Sequence, residues 1–150
     1  MSYSAGEALV LTRLREVSGF NTTPANTSRG NFGILNSGAA AFYGILAPGP
    51  YSSEWETPTV RRWYWSTIIR VYQRYVDDGT RMTDLETNVQ NVIDYFLKYQ
   101  YLGSPTTILD AHPSSADQMQ EIWSKDGGLS WLRWDVRIEW EEEQTVVYAE

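Results

Sequence analysis

Cysteine is absent from this chain of 150 residues, and histidine occurs once, as His112. The first absence excludes disulfides, thiolate metal sites and cysteine nucleophiles, and it suits a reducing compartment. The second leaves a zinc site to be built from carboxylates, and no HxxxH pair or Asp/Glu cluster at ligand spacing is present. Basic charge is scarce as well: 12 Lys and Arg face 19 Asp and Glu, a formal net charge of −7. Binding nucleic acid by charge needs clustered Lys and Arg to neutralise phosphates, so specific DNA or RNA binding is not expected. No apolar run approaches the roughly 20 residues that cross a bilayer, and no membrane partner is expected. The start, MSYSAGEALV, lacks the basic and apolar blocks of a signal peptide, so synthesis in the cytoplasm is the expectation. Gly30-Asn31-Phe32-Gly33 has neither the spacing nor the Lys of a phosphate loop, and no GxSxG elbow occurs. Neither an enzymatic activity nor a cofactor is expected.

What the chain has is aromatic residues: seven Trp, ten Tyr and four Phe. They concentrate in Arg61 to Tyr75, RRWYWSTIIRVYQRY, a run of β-branched and aromatic side chains with no Gly or Pro. It reads as a long central strand. The parity Trp63, Trp65, Thr67, Ile69, Val71, Gln73 is the more apolar and is expected to face the core. The parity with Arg70 and Arg74 is expected to lie against wetter surface. Asp77-Asp78-Gly79 is the expected turn out of it. The cleanest alternation is Leu129 to Trp140, LSWLRWDVRIEW. There Leu132, Trp134, Val136, Ile138 and Trp140 share one face, and Arg133, Asp135, Arg137 and Glu139 share the other.

Around these strands, Ser4 and Glu7 have capping-box spacing for a helix to about Ser18, stopped by Gly19 with Phe20. Asn21–Gly30 reads as a polar loop, and its triplets Asn21-Thr22-Thr23 and Asn26-Thr27-Ser28 as ordinary loop polarity. Asn31–Leu35 and Ala39–Ala47 read as a hairpin turned by Asn36-Ser37-Gly38. Tyr51–Pro58 reads as a loop. Thr83 and Glu86 cap a second helix to about Gln100, with Leu85, Val89, Val92, Phe96 and Tyr99 on its apolar face. Thr106–Ala111 reads as a short strand broken by His112-Pro113-Ser114-Ser115. Gln118–Ser124 fits strand or helix, and the turn Lys125–Gly128 with a clear strand after it favours strand; Gln144–Tyr148 reads as a last edge strand. The fold class is α+β: one mostly antiparallel β-sheet with two main helices packed on it, in a single domain spanning residues 1–150.

Candidate functional residues are few. His112 before Pro reads as a turn residue. Glu54 and Glu56 flank Trp55 in the spacing of a glycosidase pair beside a sugar platform, but they stand on a Pro-bounded loop and read as solvated. Trp134 and Trp140 read as core. Trp63, Trp65 and Trp131 remain open between core and an interface hot spot. Glu141, Glu142 and Glu143, beside Asp135 and Glu139, form an acidic strand end. It reads either as a solvated terminus, or as a docking face for a basic partner or a wall that repels DNA phosphate.

The order of N-terminal helix, small-residue segment NFGILNSGAAAFYGILAPGP, aromatic central strand with Val71-Tyr72, helix DLETNVQNVIDYFLKY and terminal strand LRWDVRIEW resembles the tail terminator proteins of long-tailed bacteriophages. The resemblance is architectural and runs from about Glu7 to Trp140. It implies a structural virion protein that forms a ring, typically hexameric, at the head-proximal end of the tail tube. Such a ring stops tube polymerisation and joins the tail to the head connector, while genomic DNA passes through without specific binding. The implied partners are further copies of the chain, the tail tube protein and the head–tail connector. By position and composition, Trp63, Trp65, Tyr43 in the Ala39–Ala47 arm, Trp131 and Glu141–Glu143 are the expected contact residues. Two other expectations remain: a neck or tail-completion protein of the same virion, and a small carbohydrate-binding module that uses its Trp and Tyr as stacking platforms.

Overall fold

The chain folds, in order, into α1 (Tyr3–Leu14), β1 (Thr27–Arg29), α2 (Ile34–Ser37), β2 (Phe42–Pro48), β3 (Ser52–Trp55), β4 (Val60–Arg74), α3 (Thr80–Leu97), β5 (Ile108–Ala116), β6 (Gln120–Trp123) and β7 (Leu129–Thr145). This computed structural model describes residues 3–22, 25–31, 34–37, 40–75, 80–103 and 108–148. Asp77-Asp78-Gly79, Gly38 and Ala39 lie outside the described residues.

One seven-stranded sheet runs in the order β1-β2-β4-β7-β5, with β3 on the β2 side of β4 and β6 on the β5 side of β7. Its axis is the antiparallel pair β4 and β7, in unbroken register from Val60 opposite Thr145 to Arg74 opposite Trp131. The expected parities hold. Thr67, Ile69, Val71 and Gln73 of β4 are buried on the same face as Leu132, Val136, Ile138 and Trp140 of β7. Both main helices cover that face. Val10 and Leu14 of α1, and Leu85, Val89, Val92 and Phe96 of α3, complete the main core with Leu46, Phe20, Leu102 and Ile108. Gly6 lets α1 rest directly on the Trp140 indole, since a Cβ there would stand 2.5 Å from Cζ2. The buried Gln73 amide ties α3 to the sheet: its Nε2 donates to Ala41 O at 3.2 Å, and its Oε1 accepts from Asn88 Nδ2 at 3.1 Å. The α+β architecture with two main helices is therefore as expected.

Several local expectations differ. The helix α1 ends at Leu14 rather than Ser18; Glu16 N donates to Arg13 O and Val17 N to Leu14 O, the tighter spacing of a terminal turn. Gly19 takes the left-handed conformation at φ 85° and Phe20 is buried, as the stop signal requires. Ser4 lies inside the helix and Glu7 does not close a capping box. Its buried carboxylate accepts from Tyr3 OH at 2.6 Å and pairs with Arg29. Burial, and then that hydrogen bond, push the Tyr3 hydroxyl up to about 12. The helix α3 begins at Thr80, three residues before the expected Thr83 cap.

The expected hairpin 31–47 is not formed. Ile34–Ser37 is a helical turn, and the outer neighbour of β2 is β1, which pairs with it in parallel from Thr27 opposite Gly44 to Arg29 opposite Leu46. Parallel neighbours need a crossover, and residues 30–41 supply it. Asn26 anchors the start: it is buried, with Nδ2 donating to Gly19 O and Phe42 O, so the second glycosylation-type triplet has a structural role. Tyr51–Pro58 is not all loop, because β3 pairs with β4. Nor do His112–Ser115 break their strand. The strand β5 runs through Pro113 with register shifts at Ile108/Asp110 and Pro113/Ser115, which an edge strand tolerates. Finally, β7 continues through Glu141–Glu143 to Thr145, absorbing the start of the expected last strand.

Candidate functional site

Between Val60 and Tyr64, β4 has passed the end of β2 and lies between β3 and β7, with the start of β5 beyond β7. Strand alternation sends Arg61, Trp63 and Trp65 to the core side and Arg62 and Tyr64 to the other side. Pairing adds Ser53 and Trp55 to the first side and Glu54 to the second.

The first side carries a continuous stack. Trp63 and Trp65 lie stacked, with centroids 4.9 Å apart and an angle of 3° between their planes. Trp65 meets Tyr3 at 5.8 Å, and Tyr3 stacks on the core Trp140 at 5.8 Å. Outward, the Arg61 guanidinium sits 5.4 Å from the Trp63 centroid and 4.8 Å from that of Trp55, held by the Ser53 hydroxyl at 2.9 and 2.7 Å. Trp55 then stacks on Tyr148 at 6.4 Å. Tyr148 OH donates to Pro58 O at 2.6 Å and Val146 N to Thr59 O at 2.7 Å, fastening residues 146–148 to the β3–β4 turn. Tyr51 leans on Trp65 at 5.4 Å and stays 67% exposed, while Trp55 and Tyr148 are 48% and 61% exposed. The row thus begins in the core and ends in solvent.

The second side is ionic. Arg62 pairs with Glu56, with Glu141 at 3.5 Å and with Glu143 at 3.2 Å. Tyr64 OH donates to Glu54 Oε1 at 2.6 Å. Desolvation, and then a hydrogen bond shared with Glu143, push the Glu56 carboxyl upward, against the opposing pull of Arg62.

The candidate residues divide accordingly. Trp63 and Trp65 come together. Glu141 and Glu143 lie on the opposite side from them, around Arg62. Glu142 is not part of the acidic surface: it points to the core side, is buried, and accepts from Trp140 Nε1 at 3.1 Å. Burial raises its carboxyl, and that hydrogen bond works the other way. Tyr43 and Trp131 lie at the far end of the sheet in a second apolar cluster with Ile45 and Tyr72, partly covered by Ile34, Leu35 and Ala40. Tyr43 is fully buried, so as a contact residue of the isolated chain it is corrected. Trp131 is half-buried, edge-on to Tyr43 at 5.6 Å, with Arg74 over its ring at 4.8 Å.

Sequence reasoning missed Arg61, Arg62 and Tyr148, and left Tyr51 and Trp55 in a loop. The signal for them was the short Thr57-Pro58-Thr59 connection between two alternating runs. His112 is a strand residue, with Nδ1 2.9 Å from Asp110 Oδ2 and Nε2 3.7 Å from Glu139 Oε2. Clefts of about 230 Å³ beside Gln73 and about 280 Å³ beside Leu132 are smaller than usual small-molecule sites. Among the described residues, no group of three or more His, Asp or Glu side chains is placed to hold a metal ion, and no helix is long and apolar enough to cross a membrane. Compared with protein-family models and with curated proteins, the chain matches none.

Proposed function

We propose that this chain is a structural virion protein of the tail-terminator kind: a ring of identical subunits that caps the phage tail tube, stops its growth and joins it to the head connector. The observation that carries the reading is the one-sided build of the domain. The two main helices cover one face of the sheet. The other face has one apolar corner, Tyr43, Ile45 and Tyr72 under Ile34 and Leu35, and otherwise carries partly exposed charged side chains, and the β3 end adds exposed aromatic rings. A surface of this kind suits contact with other subunits, and exposed aromatics beside charges have the composition of interface hot spots. The order of N-terminal helix, central strand, helix and terminal strand supports the reading too. The segment 31–47, with one helical turn and a parallel partner for β2, departs from the expected hairpin.

Light scattering with negative-stain images of the same sample tests it, followed by addition of purified tail tubes. Closed rings with a central hole, or rings formed on tube ends, are the expected result. A protein that neither self-assembles nor caps tubes refutes the proposal. A neck protein of the same virion would form its ring away from the tube end, which the images distinguish. The exposed rings of Tyr51, Trp55 and Tyr148 near Glu54 favour a second reading, a carbohydrate-binding module. It predicts tryptophan fluorescence that responds to oligosaccharides, and a glycan titration without response removes it.

A further inference from the structure

The sheet face opposite the two main helices, whose Tyr43–Tyr72 corner lies under Ile34 and Leu35, is divided by charge along the strands. Reading along β7, Arg133, Asp135 and Arg137 give way to Glu139, Glu141 and Glu143. On β4, Arg74 and Arg70 stand at the first end. At that end four arginines, Arg70, Arg74, Arg133 and Arg137, accompany Asp135 and Asp117, and Arg137 reaches across the boundary to Glu139 at 2.7 Å. Arg70 and Arg133 approach Asp135 at 3.9 and 3.3 Å, and Asp117 lies close enough to raise the Asp135 carboxyl further above its ordinary range. At the other end, Glu54, Glu56, Glu141, Glu143, Glu139 and Asp110 accompany Arg62 and His112. In a chain of net charge −7, a third of the basic residues, four of 12, thus sit at one end of one face. The two ends are complementary in sign, and they lie on the same molecule.

We infer that this face binds a second copy of the chain head to tail, the glutamate end of one copy seated on the arginine end of the next. The sign of the charges selects this occupant. Like ends repel, whereas unlike ends attract and bring Glu141 and Glu143 of one copy to Arg133 and Arg137 of its neighbour. Unlike ends pair either once, leaving an arginine end and a glutamate end free so that the contact propagates until a ring closes, or twice in a closed two-fold dimer, and the mass in sedimentation separates the two. The direction of propagation rests on the ring reading above; the pairing of the two ends rests on the charges.

Two reversed variants of the full chain test it, Arg133→Glu/Arg137→Glu and Glu141→Arg/Glu143→Arg, with circular dichroism to confirm folding and sedimentation velocity to read mass. Wild type is expected to associate at low salt and to dissociate as salt screens the contact. Each reversed variant alone is expected to lose association by at least about tenfold, and an equimolar mixture of the two to recover it. The neutral variants Arg137→Gln and Glu143→Gln serve if a reversed variant does not fold, each weakening association without recovery on mixing. A wild type that stays monomeric at low salt, or variants that associate as wild type does, overturn the inference. Rings that persist in both variants overturn it while leaving the terminator reading intact. Association that follows the charges in a protein that never caps tail tubes keeps the inference and removes that reading.

Discussion

A glycine inside a helix costs stability relative to alanine by about 1 kcal/mol from backbone entropy alone. At Gly6 packing reverses the sign. The missing side chain is what admits the Trp140 indole, three of whose atoms would lie 2.5–2.6 Å from a Cβ. Gly6→Ala is expected to destabilise the protein by about 1–3 kcal/mol, as overpacked cores do, measured by urea unfolding; a stabilised variant would show that α1 is free to shift. Glu142 makes the second residue-scale case. Its folded carboxyl is raised by burial, so the folded state holds its proton more tightly than the unfolded state does. Its contribution is therefore fully present below the ordinary glutamate range and is lost as pH rises through the folded value. Glu142→Gln, which keeps an acceptor for Trp140 Nε1, is expected to raise Tm at pH 7. The difference should vanish on acidification below the glutamate range, where wild type is protonated too. Asp135, raised by burial against the pull of Arg133 and Arg70, shifts stability in the same direction.

At the scale of elements, β7 is the strand on which the others depend. It pairs with β4 along one edge and with β5 and β6 along the other, and it puts Leu132, Val136, Ile138 and Trp140 into the core. Val136 is fully buried with Ile69 opposite it, so Val136→Asp would set a carboxylate among the apolar side chains of the main core. The expected outcome is loss of the cooperative melting transition, because burying an unpaired charge costs more than a domain's net stability allows. The β3 end of the sheet answers to a different rule. Its stack is partly in solvent, and Arg61 links the two Trp layers rather than filling a cavity. Arg61→Ala is expected to lower Tm by no more than a few degrees, consistent with about 0.5–1 kcal/mol for an exposed cation–π contact, and to weaken the near-ultraviolet circular dichroism of the tryptophans.

At the scale of the whole molecule, the two main helices cover one face of the sheet, and the opposite face carries ion pairs beside one apolar corner under Ile34 and Leu35. Exposed pairs contribute little to the stability of a single chain, so their number there is poorly explained by folding alone. If copies of the chain cover that face for one another, stability depends on concentration. Tm at low salt is expected to rise with protein concentration, and that dependence to fade in high salt, as scanning calorimetry across a dilution series would report.

Period-two alternation in β4 and β7 and the apolar stripe of α3 determined which side chains face the core, and with them the fold class. These signals are local, because a side chain's parity depends only on its own strand. Neighbour relations are not local. That β2 takes the distant β1 as a parallel partner, rather than the segment just before it, was decided by the buried Asn26 amide and the crossover through Ile34–Ser37. The polar edge strand β3 read as loop because a solvated edge has no apolar pattern to show. Glu142 read as one of three exposed acids because its burial depends on Trp140 and on the continuation of β7, not on its own neighbours in sequence. The separation of Trp63 and Trp65 from Tyr43 and Trp131 to opposite ends of the sheet likewise follows from register, which only the assembled strands define.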